Sequence, residues 1–365
     1  MSAAILDRFL RTAKVLYEDV RNKAEAGKKG IDEFLFNTDD FSTSAEFTLD
    51  QFIKNPHSIV FRTPDEESHI RPFTPGVGQV YSIPRASEKT AISEQLRDSV
   101  VAGIEATANF NDHNVKMIEK IIENHVVGHT IARWKLALDT IRTGIFAPTG
   151  IGGVDLNLAI DYGRAGSQTV AYDFTAAGAN IDAALKTIYD AGSLQGMQKG
   201  NRVIILGSDW LTEFETEDDT RLKAMANTSN VLLEQNMMPP ELQNTQGLYL
   251  VGRYRIPGCV GPVWLTAYEP EIGFVGTAGA APEDFMPADE AVMISLNSPR
   301  YSVFRGVDFY GAGGSVQRDV GEIIFDTYTQ SDPIAEVFRG QTRYAFIPGD
   351  INKTVRGIGT FPAVS

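Results

Sequence analysis

Cysteine is almost missing from this chain: Cys259 stands alone among 365 residues. One thiol makes no internal disulfide and no Cys-rich metal cluster. Its setting, Ile256-Pro257-Gly258-Cys259-Val260-Gly261-Pro262, is apolar and turn-rich, which reads as small buried filler rather than a nucleophile. Histidine is scarce as well, with five in all and none after residue 129. Long apolar runs are absent, and none approaches the roughly 18 residues that span a bilayer. Near the start, Asp7, Arg8, Arg11 and Lys14 interrupt the apolar residues, so no signal-peptide core is expected. The expectation is a soluble protein made in the cytoplasm. Positive charge is also short, with 33 Lys and Arg against 47 Asp and Glu and a net charge of -14. Such a surface repels phosphate backbones, which argues against gripping nucleic acid as the main task. DNA lying nearby is tolerated, because repulsion prevents sticking.

What is present is ordinary for a globular protein, at 43% hydrophobic and 22% charged residues, and the length suggests two or three lobes. Ile5, Phe9, Leu10, Ala13, Leu16 and Val20 recur at helical spacing up to about Ala26, with Gly27 as a stop. Gly30 to Leu49 mixes acids, Ser and Thr with Phe34, Phe36, Phe41 and Phe47. This mixture is too polar to build its own core, so its aromatics are expected to need a neighbour's surface. Ser58 to Ile83 reads as an extended, hairpin-like excursion, with strand-like Ile59 to Arg62 going out and Gln79 to Ile83 returning. Prolines 64, 72, 75 and 84 restrict it to an edge or a projecting loop.

Ser93 is expected to cap a helix through Ala108, and Asn109 to Asn114 to interrupt it. One long segment, Asn111 to Ile145, then keeps an apolar rhythm through Val115, Ile118, Ile122, Val126, Ile131, Trp134, Leu138 and Ile141. At about 1.5 Å per residue it spans on the order of 50 Å. Gly144 is placed as its C′ residue, and Gly128 as a close packing contact. Thr175 to Pro299 reads as an α+β lobe, with helices over Thr175–Ala191 and from about Asp209 to the Ala224 region. Its strands are expected at Val203–Leu206, Leu248–Val251 and Val263–Tyr268. Glu322–Thr329, Ile334–Phe338 and Thr342–Ile347 read as antiparallel strands. A long helix fed by an arm that cannot fold on itself suggests a subunit built for assembly.

Several segments invite chemistry. His125-Val126-Val127-Gly128-His129 has zinc-ligand spacing, but Val126 replaces the glutamate a zincin needs, and packing or polar contacts are the default. Gly311-Ala312-Gly313-Gly314-Ser315 lacks both a following helix and a P-loop lysine, so it reads as a loop. Gly207-Ser208-Asp209-Trp210 lacks the second glycine of a nucleophile elbow, and Ser208 or Asp209 reads as a helix cap. Glu213 to Asp219 reads as a solvated helical face. No catalytic, metal or cofactor site is expected.

The motifs, taken in order, resemble the lambda-type (E family) major capsid proteins of tailed bacteriophages. Phe73-Thr74-Pro75-Gly76 is similar to the turn of that family's projecting E-loop. Ile141-Arg142-Thr143-Gly144-Ile145-Phe146, with Thr149-Gly150 behind it, resembles the end of its long helix, and Ile160-Asp161-Tyr162-Gly163-Arg164 its following strand. Ile204 to Trp210, Pro287-Ala288-Asp289 to Ile294, and Gln330-Ser331-Asp332-Pro333 resemble later elements. The first 50 residues match poorly. The resemblance implies an α+β Hong Kong 97 fold in five parts. These are an N-terminal arm over 1–55, an E-loop over 56–90, a peripheral domain with the spine helix over 91–174, an axial domain over 175–310, and peripheral return strands over 311–365. It implies no enzyme and no cofactor, but a virion shell of pentamers and hexamers enclosing the genome without sequence-specific contacts. Implied partners are the chain itself, a scaffolding protein, a portal and a decoration protein, with no membrane. Phe34, Phe36, Phe41, Phe47 and Phe73 to Gly76 are then assembly residues, and Asp161 to Arg164 a structural motif. An encapsulin-type compartment is the related alternative, and a serine hydrolase using Ser208 the unrelated one.

Overall fold

The computed structural model describes residues 30–42, 46–51, 77–93, 110–148, 159–197, 199, 201–216, 242, 245–269, 284–305, 307–310, 316–319, 323–331 and 334–362. Phe73 to Gly76, the Ile5–Ala26 segment, Glu94 to Ala108 and Gly311 to Ser315 lie outside the described residues. In chain order the helices are α1 (Ile31–Leu35), α2 (Phe110–Thr143), α3 (Ile181–Leu194) and α4 (Ser208–Thr216). The first strands are β1 (Thr38–Ser42), β2 (Glu46–Gln51), β3 (Val77–Ser82), β4 (Arg85–Ser93), β5 (Ile145–Phe146), β6 (Ile160–Asp161), β7 (Thr169–Asp173), β8 (Arg202–Leu206) and β9 (Leu248–Tyr254). They are followed by β10 (Val263–Tyr268), β11 (Glu290–Ser295), β12 (Tyr301–Arg305), β13 (Val307–Tyr310), β14 (Val316–Asp319), β15 (Ile324–Ser331), β16 (Ile334–Ile347) and β17 (Thr354–Thr360). No described helix is long and apolar enough to cross a membrane.

A mixed six-stranded sheet runs β7-β17-β11-β8-β10-β9. Its central strands are near-continuous apolar runs because both faces are covered. Along β8, Val203 and Ile205 face one core, and Ile204 and Leu206 the other. β11 divides in the same way, with Val292 and Ile294 against Ala291 and Met293. One core holds α3 and α4 through Leu185, Ile188, Trp210 and Phe214. The other holds α2, through Trp134, Leu138 and Ile141, together with part of a second sheet. That sheet contains β1, β12, β16, β15 and β4, with β16 paired to β15 and β4 over its first part and to β12 at Tyr344–Ile347.

The sheets do not follow the boundaries expected from sequence. β7, from 91–174, and β17, from 311–365, join the sheet of the 175–310 lobe, whereas β12 joins the other sheet. Residues 110–114, expected to be part of an interruption, are helical, and α2 starts at Phe110. Asn and Asp are weak helix formers, but without Pro or Gly they do not break one. Helix α3 starts at Ile181 rather than Thr175, because Asp173 Oδ1 turns the chain by accepting from Thr175 N at 2.9 Å, and Asn180 caps the helix through Ala183 N at 2.7 Å. β16 is one strand where two were expected: Gly340 pairs with Phe325 on β15 and Glu88 on β4, and the double ladder carries the chain through it. β3 pairs with β2, not with Ile59 to Arg62, so β2 and β3 frame residues 52–76.

The clearest correction concerns the arm. Phe34 and Phe36 were expected to wait for a neighbouring subunit, yet both are buried in this chain's own core, at 3% and 1% exposure. Ile31 and Leu35 join them, and the Phe36 ring lies 4.6 Å from that of Phe346. Asp32 accepts from Arg133 of α2 at 2.5 Å, and Arg300 donates to the Leu35 carbonyl. Arg300 N also donates to Asn37 Oδ1 at 3.2 Å, and β1 then runs parallel to β12, bringing Phe41 into register with Phe304. Phe47 falls in β2, opposite Tyr81. Polarity misled here because Asp32 is the partner of the buried Arg133, not a solvated charge.

Candidate functional site: the joint at the end of the long helix

Helix α2 ends where the sequence placed its stop. Gly144 takes φ +79°, and its N–H closes on Thr140 O at 2.9 Å. The last carbonyls of a helix still need donors. Arg164 supplies them: its guanidinium donates to Ile141 O, to Arg142 O at 2.6 Å and to Thr354 Oγ1 at 2.8 Å. A cation here also meets the negative end of the helix dipole.

The neighbouring residues of the motif bring Arg164 to this place. β5 pairs with β6, and Tyr162 N donates to Gly144 O at 3.0 Å. Asp161 Oδ1 accepts from Gly163 N at 2.8 Å while Gly163 holds φ +67°, turning the chain toward the helix end. The Tyr162 hydroxyl donates to Phe346 O at 2.5 Å, tying the turn to β16. Tyr162→Phe is expected to cost about 1–2 kcal/mol, read from the urea midpoint at constant slope, because it orphans a buried carbonyl.

Beside this turn lies a charge network. Glu290, at 4% exposure, accepts from Arg142 Nη1 at 2.7 Å and from Arg356 through both carboxylate oxygens. Arg142 also reaches Asp139 at 2.9 Å. Burial would lower the Arg142 pKa, but Asp139 and Glu290 outweigh it and the net direction is upward. Arg164 goes the other way: burial, then the nearby Arg356 charge, bring it down to about 10, with Glu290 opposing. Both remain charged at neutral pH. The joint therefore fastens α2 to β11 and β17 of one sheet and to β16 of the other. It offers fixed geometry, not a reactive group.

The other candidates separate from it. His125 and His129 lie between α2 and the β4–β16 pair: Thr90 Oγ1 is 2.7 Å from His125 Nε2, and His129 hydrogen-bonds the Gly340 backbone. Among the described residues no group of three or more His, Cys, Asp or Glu is gathered to hold a metal. α4 begins at Ser208, one residue earlier than expected, so Ser208 opens the helix instead of standing before it. Neither His125 nor His129 approaches it. Cys259 is buried, and burial pushes its thiol pKa upward. The sequence reading missed Glu290. The signal was available, since an acid opening the otherwise apolar run Glu290-Ala291-Val292-Met293-Ile294 implies a buried cationic partner.

No family model matches the sequence, and no curated protein matches it. Among solved structures, the chain is similar to a putative capsid protein of a prophage of E. coli CFT073, at 14% identity and TM-score 0.46 over 78% of this chain and 80% of that one. It is similar to the capsid of the cyanophage P-SCSP1u, at 10% identity and TM-score 0.44 over 92% and 89%. A third is the encapsulin complex of Synechococcus elongatus PCC 7942, at 8% identity and TM-score 0.40 over 88% and 84%. The structural neighbours include phage capsid proteins.

Proposed function

We propose that this chain is a major capsid protein that assembles through pentamers and hexamers into an icosahedral phage shell. The observation that carries the reading is the joint itself. Two separate stretches resembling the capsid family, Ile141 to Phe146 and Ile160 to Arg164, meet and cap the same long helix through Arg164. In this reading α2 is the spine helix, residues 56–90 form the E-loop, and the six-stranded sheet belongs to the axial domain. Contacts repeated around symmetry axes then close the shell. Phe41, Phe47 and Phe73 to Gly76 remain the proposed assembly residues, with scaffolding, portal and decoration proteins as partners. DNA is enclosed without specific contacts, consistent with the net charge of -14.

Negative-stain microscopy of the expressed chain, alone and with its scaffold, is expected to show closed shells. A stable monomer under every condition overturns the proposal. Particles holding a cargo enzyme instead of DNA select the encapsulin alternative. Deleting 64–78, or introducing Phe73→Asp, is expected to abolish shells while cooperative thermal unfolding persists. Loss of that cooperativity would show that the segment belongs to the subunit core.

A further inference from the structure

Helix α2 carries three basic side chains one turn apart on a single buried stripe: His125, His129 and Arg133, at 1%, 5% and 8% exposure. The β4–β16 pair lies against the two histidines. Thr90 of β4 meets His125, and Gly340 of β16 meets His129. Gly128 leaves room for the Glu88 carboxylate of β4, since a Cβ there would come within 3.1 Å of its Oε2.

Countercharge is distributed unequally along this stripe. Burial lowers the His125 pKa, and Glu88 beside it opposes the shift. Arg133 has Asp32 of α1 at 2.5 Å. His129 has the His125 ring one turn away on one side and the Arg133 cation on the other, and its Nε2 has no hydrogen-bond partner among the described residues. Other charged groups on these elements include Lys120, Glu123, Lys135, Asp139 and Arg142 of α2, Glu33 of α1, and Arg85, Lys89, Glu336, Arg339 and Arg343 of the two strands, with Glu336 on the Gly340 face by alternation. By strand alternation Lys89, Arg339 and Arg343 belong to the face opposite Glu88 and Gly340. The buried phenol of Tyr344 lies near Arg133 and Asp32.

We propose that His129 is a proton-operated release that uncouples the β4–β16 pair from the long helix in acid. A proton on His129 adds a cation beside Arg133 in a buried stripe whose two carboxylates already face its neighbours. Burial, then His125 and Arg133, lower its pKa from 6.5 to about 4, with the Gly340 bond opposing. A histidine lowered on folding binds fewer protons folded than unfolded, so its contribution is whole above pH 6.5 and is lost as the pH falls toward about 4. Only Ile83 and Pro84 separate β3 from β4, so release loosens the strand leading from the hairpin that frames residues 52–76. The consequence for a shell rests on the capsid reading, whereas the joint is a property of the folded subunit.

The test is hydrogen exchange on the unassembled full-length chain at pH 7 and pH 5, corrected for intrinsic rates. Peptides covering Arg85–Ala91 and Val337–Arg343 are expected to open roughly twenty-fold more at pH 5, while β8 and β11 peptides stay unchanged. His129→Gln is expected to remove that difference. Equal acid opening of both sheets, or an undiminished difference in folded His129→Gln, overturns the proposal. Should that variant not fold, the wild-type His129 ring is titrated by NMR, and a pKa at or above 6.5 overturns it equally. Failure to form shells leaves all these readouts intact.

Discussion

Glu290→Ala is expected to destabilise the subunit by about 3–5 kcal/mol. The carboxylate is the shared acceptor of Arg142 and Arg356, and all three side chains are largely buried, at 15%, 24% and 6% exposure for Arg142, Arg356 and Glu290. Its removal leaves two guanidiniums close together, with Asp139 serving Arg142 alone. Arg164, whose pKa is already lowered by Arg356, loses its nearest compensating charge as well. Denaturant unfolding read at an unchanged slope measures the effect. Glu290→Gln keeps the shape and one acceptor, and should fall between the two. A loss below about 1 kcal/mol for Glu290→Ala would mean that water, rather than the carboxylate, carries the joint.

Phe36→Ala is expected to cost about 3–5 kcal/mol in the unassembled subunit. The ring is 1% exposed, is 4.6 Å from Phe346, and belongs to the core that holds Trp134, Leu138 and Ile141. The magnitude separates two views of the arm. If Phe36 found its partner only on a neighbour, the free subunit would lose almost nothing and only assembly would suffer. Because Ile31 to Phe36 packs on α2 within the chain, monomer stability falls first. Limited proteolysis follows the same logic: cleavage between Gly30 and Ser42 should be slow in free subunits and shells alike, and rapid cleavage in the free subunit alone would restore the neighbour-bound arm.

The sequence by itself determined the long helix and its stop. A 3-4 apolar rhythm from Val115 to Ile141 and a glycine able to take φ +79° are local properties, and α2 ends as they require. It also determined the buried strands β8 and β10, whose largely apolar runs need cover on both faces. The Asp161–Arg164 turn was legible as a motif, but not as a helix cap, because its acceptors lie 22 and 23 residues away. Only the tertiary structure decided where the charges of opposite sign meet. Asp32 and Arg133 are 101 residues apart and Arg142 and Glu290 148 apart, and neither pair has a periodicity or spacing that announces it. The same reason made the arm look solvated: Asp32 reads as surface until Arg133 is found. It also explains why β17 crosses the expected domain boundary: Thr354–Thr360 has no apolar alternation of its own, and only the space between β11 and β7 fixes which sheet receives it.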